Sequence, residues 1–508
     1  MTKDGGLSGQ FKTVRSVAFS LRRHWVFIIL FACGSALRAA VTMAYQPALF
    51  YSDSFDYLLH AYRLPLSLWH PPGYSVFLRI ILLTGTLAAV PMVQHLMILG
   101  GSILLYAAMI RIGVRTQLAG LACAPLILDA YQLQIEQYIL SEALFEAFLI
   151  CIIAILLWRP DLTTSSVVLA GSLLGAAALV RLDAIALMLP VAGFLVVRQA
   201  GWRRTATLLA ISVIPLLGMA SLRSAENEGF SITGGMAGIW LYGRVAPFAD
   251  CSIAQIPYPE QRFCPTQPLG KRPGTSWFEN SRYSPARLIR AGQPASSGEL
   301  SDFARHIIAA QPLDYVWAVA DGFASQFRLT RSQVAGGPSV EPWIFATSVR
   351  ARDRVTPNPG LIVAYYGGPG PRMNVGLARL LHSYQEFAYI PGPVMAMCLL
   401  IALAGIYRPA RTSHRQMVVA LLAGLGMIVV LTPNATAEFT WRYVLPTLVL
   451  FPSAAVLSAE LGIIPGRSIK EGKVRAGLLF RGAGHTGDTM ADPGTPGDLT
   501  AQERSTPS

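Results

Sequence analysis

The stretch Tyr51-Ser-Asp-Ser-Phe-Asp-Tyr-Leu-Leu-His60, followed by His70-Pro-Pro-Gly-Tyr74, decides how the chain is read. It comes directly after the first apolar run. On a helix, residues three, four and seven apart share a face. Asp53, Asp56, Tyr57 and His60 have that spacing, so two carboxylates, a phenol and an imidazole point one way. For an isolated Asp at such a place, a surface helix capped by Ser52 or Asp53 is the commoner account. The rest of the chain favours a cleft at the surface of a bilayer.

The chain has 508 residues, 53% hydrophobic and only 14% charged, with a mean hydropathy of +0.45. An ordinary soluble domain carries about 25% charged residues. Apolar runs of membrane-spanning length therefore point to a polytopic membrane protein rather than several soluble domains. The net charge of +13 is not a nucleic-acid signal, because much of it lies in short loops between apolar runs. The first run lacks a small-residue cleavage pattern and is expected to stay as an anchor. Arg far outnumbers Lys, and with abundant Ala, Gly and Pro this points to a GC-rich bacterial genome.

Residues 1–24 read as a basic cytoplasmic tail. Spans are expected at 25–45, 92–110, 116–131, 140–158, 166–180, 184–198, 205–222, 387–407, 416–432 and 443–463, each near or slightly below the ~17–25 residues a bilayer needs. Arg111 and Arg115, Arg159, Arg198 with Arg203 and Arg204, Arg408 with Arg411 and Arg415, and Arg467 with Lys470 then all fall on one side. The positive-inside rule makes that side cytoplasmic, and both termini with it. Segment 73–90 is apolar but holds Arg79 after a Pro-Pro-Gly turn, and reads as an interfacial helix.

Two long segments remain outside, 46–91 and 223–386. The fold expected is thus an α-helical polytopic membrane protein of about ten transmembrane helices. A mixed extracytoplasmic domain, 223–386, is inserted before the last three helices, which occupy 387–463. The first part, 25–222, forms a membrane core, and the polar run 464–508 reads as a disordered cytoplasmic tail. Cys33, Cys123, Cys151 and Cys398 lie in expected spans. Cys251 and Cys264 alone lie in the large outer segment, where an oxidising compartment favours a disulfide over a two-cysteine metal site.

Acidic residues are scarce near the membrane, so their positions matter. Asp53 and Asp56 lie on the first outer loop, Glu136 and Glu142 on the second. Asp183 follows Arg181 at an outer turn, and Arg442 opens the last span beside Tyr443. In this topology all converge at the outer interface. Interfacial anchoring and function account about equally for Arg181 and Arg442. A transferase with a membrane-embedded phospholipid donor needs such an arrangement. Its leaving phosphate needs a cation, and its acceptor hydroxyl needs a base.

Asp-Ser-x-x-Tyr after the first span and His-Pro-Pro-Gly-Tyr before an interfacial helix resemble the GT-C glycosyltransferases. Tyr-Ile-Leu-Ser-Glu142, Ala-Leu-Val-Arg181-Leu-Asp and Trp-Arg442-Tyr-Val-Leu-Pro446 fit the same pattern. The resemblance is to the protein mannosyltransferase and aminoarabinose transferase branch, with actinobacterial-type members. It covers roughly 20–222 and 387–463. It implies transfer of a sugar from a polyprenyl-phosphate donor to a glycan, lipid or protein acceptor on the outer face of the plasma membrane. It makes Asp53 the essential acid, as base or as ligand of a divalent metal. Some members pair two acids there, whereas this chain has Asp53-Ser54. The second carboxylate is left among Asp56, Glu136 and Glu142, with Glu142 preferred by position and a metal shared by Asp53 and Glu142 as one version. Arg181 and Arg442 are candidates for the donor phosphate, and Tyr57, His60 and His70 complete the first-loop set. A secondary transporter or lipid flippase is the alternative. Charges at one interface rather than at mid-bilayer, and no visible inverted repeat, count against it. A binding or scaffold protein would have no need of Asp53.

Overall fold

The computed structural model describes residues 5–463 apart from 64–66, 68, 159–160, 226–229, 234, 287–296, 335–336, 356–358, 367–369 and 408–413. The expected tail over 464–508 lies outside the described residues, as do Arg159, Arg408, Arg411, Arg467 and Lys470 of the charge argument.

The chain opens with α1 (Gly5–Ala44), a two-residue strand β1 (Tyr45–Gln46), α2 (Ser52–Arg63) and α3 (Gly73–Leu82). Then come α4 (Ala89–Arg111), α5 (Thr116–Leu128), α6 (Ala130–Gln137), α7 (Glu142–Trp158), α8 (Thr164–Val180), α9 (Ala184–Val197) and α10 (Trp202–Ala225). The next segment holds α11 (Ala237–Val245), α12 (Thr275–Asn280), α13 (Ser297–Ala310), α14 (Pro312–Ser325), α15 (Val349–Val355), α16 (Pro359–Tyr366), β2 (Arg372–Met373) and α17 (Val375–Gln385). It ends in α18 (Gly392–Ile406), α19 (His414–Thr436) and α20 (Thr447–Ile463).

Helices thus occupy the stretches expected to span. Five stretches, Arg22–Ala44, Ala89–Arg111, Trp202–Ala225, His414–Thr436 and Trp441–Glu460, are long and apolar enough to cross a membrane. The expected straight span over 116–131 is corrected: α5 and α6 meet at 50°. The break falls at Asp129, whose carboxylate caps α6 by accepting from the Tyr131 and Gln132 N–H groups. At 14–17 residues, α7, α8, α9 and α18 are shorter than a full span. A ten-residue α3 stands where the interfacial helix was expected.

Small residues let these helices close up. A Cβ on Gly175 of α8 would lie 2.9 Å from the Ser212 carbonyl oxygen of α10, the close approach that small-residue interfaces allow. Gly73, the glycine of the Pro-Pro-Gly turn, has the same role. Its Cβ would meet the Leu179 carbonyl oxygen at 2.6 Å, so the start of α3 rests on the last turn of α8.

The described residues of segment 223–386 are partly helical and partly irregular. They hold one strand, β2, which pairs antiparallel with β1, Tyr45 opposite Met373. The rest is helix and irregular chain. It divides by its core. Residues 236–307 bury Tyr242, Phe263, Phe278 and Phe303 among themselves. Trp343, Phe345, Ile362 and Leu381 join the large core formed with α1 and α4–α10. A disulfide links Cys251 to Cys264 beside the first of these cores.

Candidate active site

Backbone pairing brings the first loop to the start of α7. The Leu49 N–H donates to the Gln137 carbonyl and the Ile139 N–H to the Leu49 carbonyl. Ser54 completes the join: its hydroxyl donates to the Ile139 carbonyl and accepts from the Tyr51 N–H. Asp53 at the head of α2 is thereby set against Glu142 at the head of α7.

Arg442 stands between these carboxylates, and Arg181 on the far side of Glu142. Arg442 Nη1 donates to Asp53 Oδ2 at 2.7 Å, and its Nε lies 3.5 Å from Glu142 Oε1. Arg181 Nη1 donates to the same Glu142 oxygen at 2.8 Å, and its Nη2 to Asp183 Oδ2 at 2.7 Å. The Arg181 guanidinium lies over the Tyr443 ring at 4.6 Å. Arg442 faces the rings of Tyr51 and Trp343. Glu142 Oε2 is buried and has no hydrogen-bond partner.

Below Asp53 lies a second layer. His70 Nδ1 is 2.7 Å from Asp56 Oδ2 and its Nε2 is 3.8 Å from Asp53 Oδ2. Ser67 donates to Asp56 at 2.6 Å, and His60 approaches its other oxygen at 3.3 Å. The Tyr57 ring packs on the His70 imidazole, and its hydroxyl donates to Ser141. Burial acts to lower the His70 pKa, but bonds to Asp53 and Asp56 overrule it and carry it to about 9. His70 is therefore a cation at neutral pH. Burial acts to raise the Asp53 pKa, yet Arg442 and His70 hold the carboxyl well below the usual range. Burial likewise opposes Asp56, and His70 and Ser67 pull it down.

The sequence candidates thus divide. Asp53, Asp56, Tyr57, His60, His70, Glu142, Arg181 and Arg442 come together, with Asp183 beside them. Glu136 does not. The inward turn of α6 buries it against Arg38, whose Nη2 and Nε donate to its two oxygens at 2.7 and 2.8 Å, and against His95 at 2.8 Å. A metal held by Asp53 and Glu142 does not fit either. The Arg442 guanidinium reaches both carboxylates and already supplies the positive charge there. Among the described residues no group of three His, Cys, Asp or Glu is arranged to hold a metal ion.

Several partners escaped the sequence reading. Glu438 neighbours Arg442 electrostatically. Trp343 comes from a segment with no recognisable pattern. Arg38, Asp129 and Glu146 are ionisable groups inside expected spans, a signal that was there to use. Asp129 receives both arms of Arg331, at 3.1 and 2.7 Å. At the other end of α7 and α8, a cavity of about 650 Å³ is lined by Leu104, Cys151, Trp158, Ser166, Leu169 and Leu173.

No family model matches the chain, and no curated protein matches it in sequence. Solved structures align with parts of the chain at low identity and at TM-scores of 0.33 to 0.42. The oligosaccharyltransferase of Archaeoglobus fulgidus, in its apo form, is 13% identical, with a TM-score of 0.42, over 90% of this chain and 54% of that one. ArnT from Cupriavidus metallidurans, bound to undecaprenyl phosphate, is 13% identical over 85% of this chain and 77% of that one, with a TM-score of 0.33. The S. cerevisiae protein O-mannosyltransferase Pmt1-Pmt2 complex, bound to the sugar donor, is 14% identical, with a TM-score of 0.33, over 44% of this chain and 36% of that one. The chain thus spans about a third to a half of the length of the mannosyltransferase and oligosaccharyltransferase chains it matches.

Proposed function

We propose that this protein is an integral membrane glycosyltransferase that moves a sugar from a polyprenyl-phosphate donor to an acceptor at the outer face of the plasma membrane. One observation carries the reading. Two arginines, Arg181 and Arg442, share Glu142, with Asp183 on the first and Asp53 on the second, where the first loop meets the ends of α7 and α8 and the turn before the last helix. Guanidinium groups fixed in this way suit a phosphate that gains charge as the sugar leaves. The motif resemblance assigns the essential acid to Asp53, and Asp53 is the carboxylate that touches Arg442. The apolar cavity at the far end of α7 and α8 would lodge part of a prenyl chain.

The topology that goes with this reading has ten spans, both termini cytoplasmic, and 46–91 and 223–386 outside. Segment 223–386 would then select the acceptor, whether glycan, lipid or protein. Purified protein incubated with polyprenyl-phosphate-linked hexoses and pentoses should release lipid phosphate with at least one of them, and the Arg442→Ala variant should not. Release at the same rate by both proteins would remove the assignment.

A further inference from the structure

Segment 223–386, expected to stand outside the membrane, carries an apolar surface that nothing in the described chain covers. On α14 the side chains of Leu313 and Trp317 are 82% and 75% exposed, and Val316 is exposed between them. Ala320 and Ala324 are exposed as well. Residues three, four and seven apart share a helix face, so these five form one stripe. Asp314 and Asp321, both exposed, fall together at its edge, about a quarter-turn round the helix. The face away from the stripe, with Tyr315, Gly322 and Ser325, packs on the protein.

What α14 packs against fixes its depth. Near its start the Tyr315 hydroxyl donates to the Ala435 carbonyl at 2.9 Å, in the last turn of α19. A Cβ on Gly322 would run into Asn434 Oδ1 of that same turn. Just past the end of α14, the Arg328 carbonyl accepts at 3.0 Å from the N–H of Gly392, which opens α18. The helix therefore runs across the heads of α18 and α19, both outer ends in the ten-span reading. Leu329, exposed, carries the apolar surface on toward α18, where Met397 and Leu400 are exposed on a helix read as a span. The stripe is thus continuous with a surface that meets lipid.

A contiguous exposed apolar patch marks an interaction surface. An apolar stripe with a polar edge suits a helix lying in the plane of a bilayer surface, and an indole suits the headgroup depth. We infer that α14 lies in the headgroup layer of the outer leaflet, with Leu313, Val316 and Trp317 in lipid and Asp314 and Asp321 toward water. It would hold by apolar area rather than by attraction to anionic lipid, since its edge is acidic. The same helix seats the body built on Tyr242, Phe278 and Phe303 on the membrane. Just before α14, Gln311 Oε1 accepts from the Asp250 N–H at 2.7 Å and Gln311 Nε2 donates to the Phe248 carbonyl at 3.3 Å. This seating requires α18 and α19 to span the bilayer and is independent of the reaction catalysed.

The test uses the purified full chain in nanodiscs of phosphatidylcholine with a diazirine in its acyl chain. After illumination, peptide mass spectrometry should find lipid adducts on 312–329, and on Met397 or Leu400 of α18. Adducts on 312–329 should be more abundant with the diazirine near the headgroup than at the chain end, because an interfacial helix dips in only about 5–10 Å. The reverse order would overturn an interfacial position. Adducts on α18 with none on 312–329, whether the stripe meets water or a second copy, would overturn the seating. No adduct on α18 either would remove that span, and the seating with it. The double variant Leu313→Glu, Trp317→Glu should lose the adducts at 312–329 and keep those on α18. Adducts persisting at 312–329 in that variant would deny the stripe its part and overturn the inference.

Discussion

Arg442 donates to Asp53 across 389 residues of chain, Nη1 to Oδ2 at 2.7 Å. The contact fastens the first loop to the turn before the last helix. Each residue on its own reads as an interfacial anchor. Together they form an oriented cation, with Glu142 on its other side.

Removing the negative charge should therefore cost both function and stability. Asp53→Asn leaves Arg442 and His70 facing a neutral amide in a site where the Asp53 side chain is only 16% exposed. Loss of such a charge-assisted bond costs on the order of 1.5–3 kcal/mol. Unfolding in detergent should show it, and transfer should fall by about 10–10²-fold, the same free energy read at the transition state. An unchanged unfolding midpoint would deny the ion pair its structural part.

Arg442→Lys separates clamping from anchoring. Lysine keeps the charge and snorkels as well, but it cannot reach Asp53, Glu142 and a phosphate with one fork. Membrane insertion should be normal. Donor kinetics at saturating acceptor should weaken by on the order of 1–3 kcal/mol, read as a higher KM or a lower kcat. Wild-type donor kinetics in the Lys variant would move the phosphate site to Arg181 or the arginines of 223–386.

His70 gives a pH signature with a definite sign. Its folded pKa, about 9, is raised above the ordinary 6.5. Its contribution to stability is complete below the lower value and is lost as pH rises through the higher. The unfolding midpoint of the wild type should exceed that of His70→Gln most near pH 6, and the gap should shrink toward pH 10. A gap that grows with pH would contradict the imidazolium assignment.

The Cys251–Cys264 disulfide closes a loop with a sequence separation of 13. In the chain-entropy model this stabilises by roughly 3 kcal/mol. Replacing both cysteines by serine should lower the midpoint of the part built on Tyr242, Phe278 and Phe303. Peptide masses from unreduced protein check the bond itself, and two free thiols would refute it.

The topology is open to labelling. Tyr258, 87% exposed in segment 223–386, and Trp202, 77% exposed at the start of α10, should lie on opposite sides of the membrane. In intact cells an impermeant thiol reagent should modify Tyr258→Cys and spare Trp202→Cys. The reverse pattern would invert the reading of the spans between.

The sequence was most legible where chemistry stands out against apolar background. Asp53, Arg181 and Arg442 are conspicuous because each flanks a hydrophobic run, and they meet in the structure. Helical spacing put Asp56, Tyr57 and His60 on the side of Asp53; Asp56 and Tyr57 touch His70, and His60 reaches Asp56. Which way a side chain turns beyond a break is not written locally. Glu136 sits six residues from Glu142 yet faces Arg38, because α6 bends by 50° after α5. Glu438 was passed over inside a polar turn, since nothing nearby in sequence sets it apart. Segment 223–386 showed no pattern because part of its apolar surface, around Trp343 and Phe345, is matched to the membrane core rather than to itself.

Arg38 bears on how the protein is made. Its guanidinium, inside the first apolar helix, is neutralised by a carboxylate 98 residues further along. When α1 leaves the ribosome it carries a cation that lipid solvates poorly. The helix therefore has reason to linger at the insertion machinery until α6 has been synthesised. Insertion of this first helix is then expected to be favoured further once Glu136 arrives.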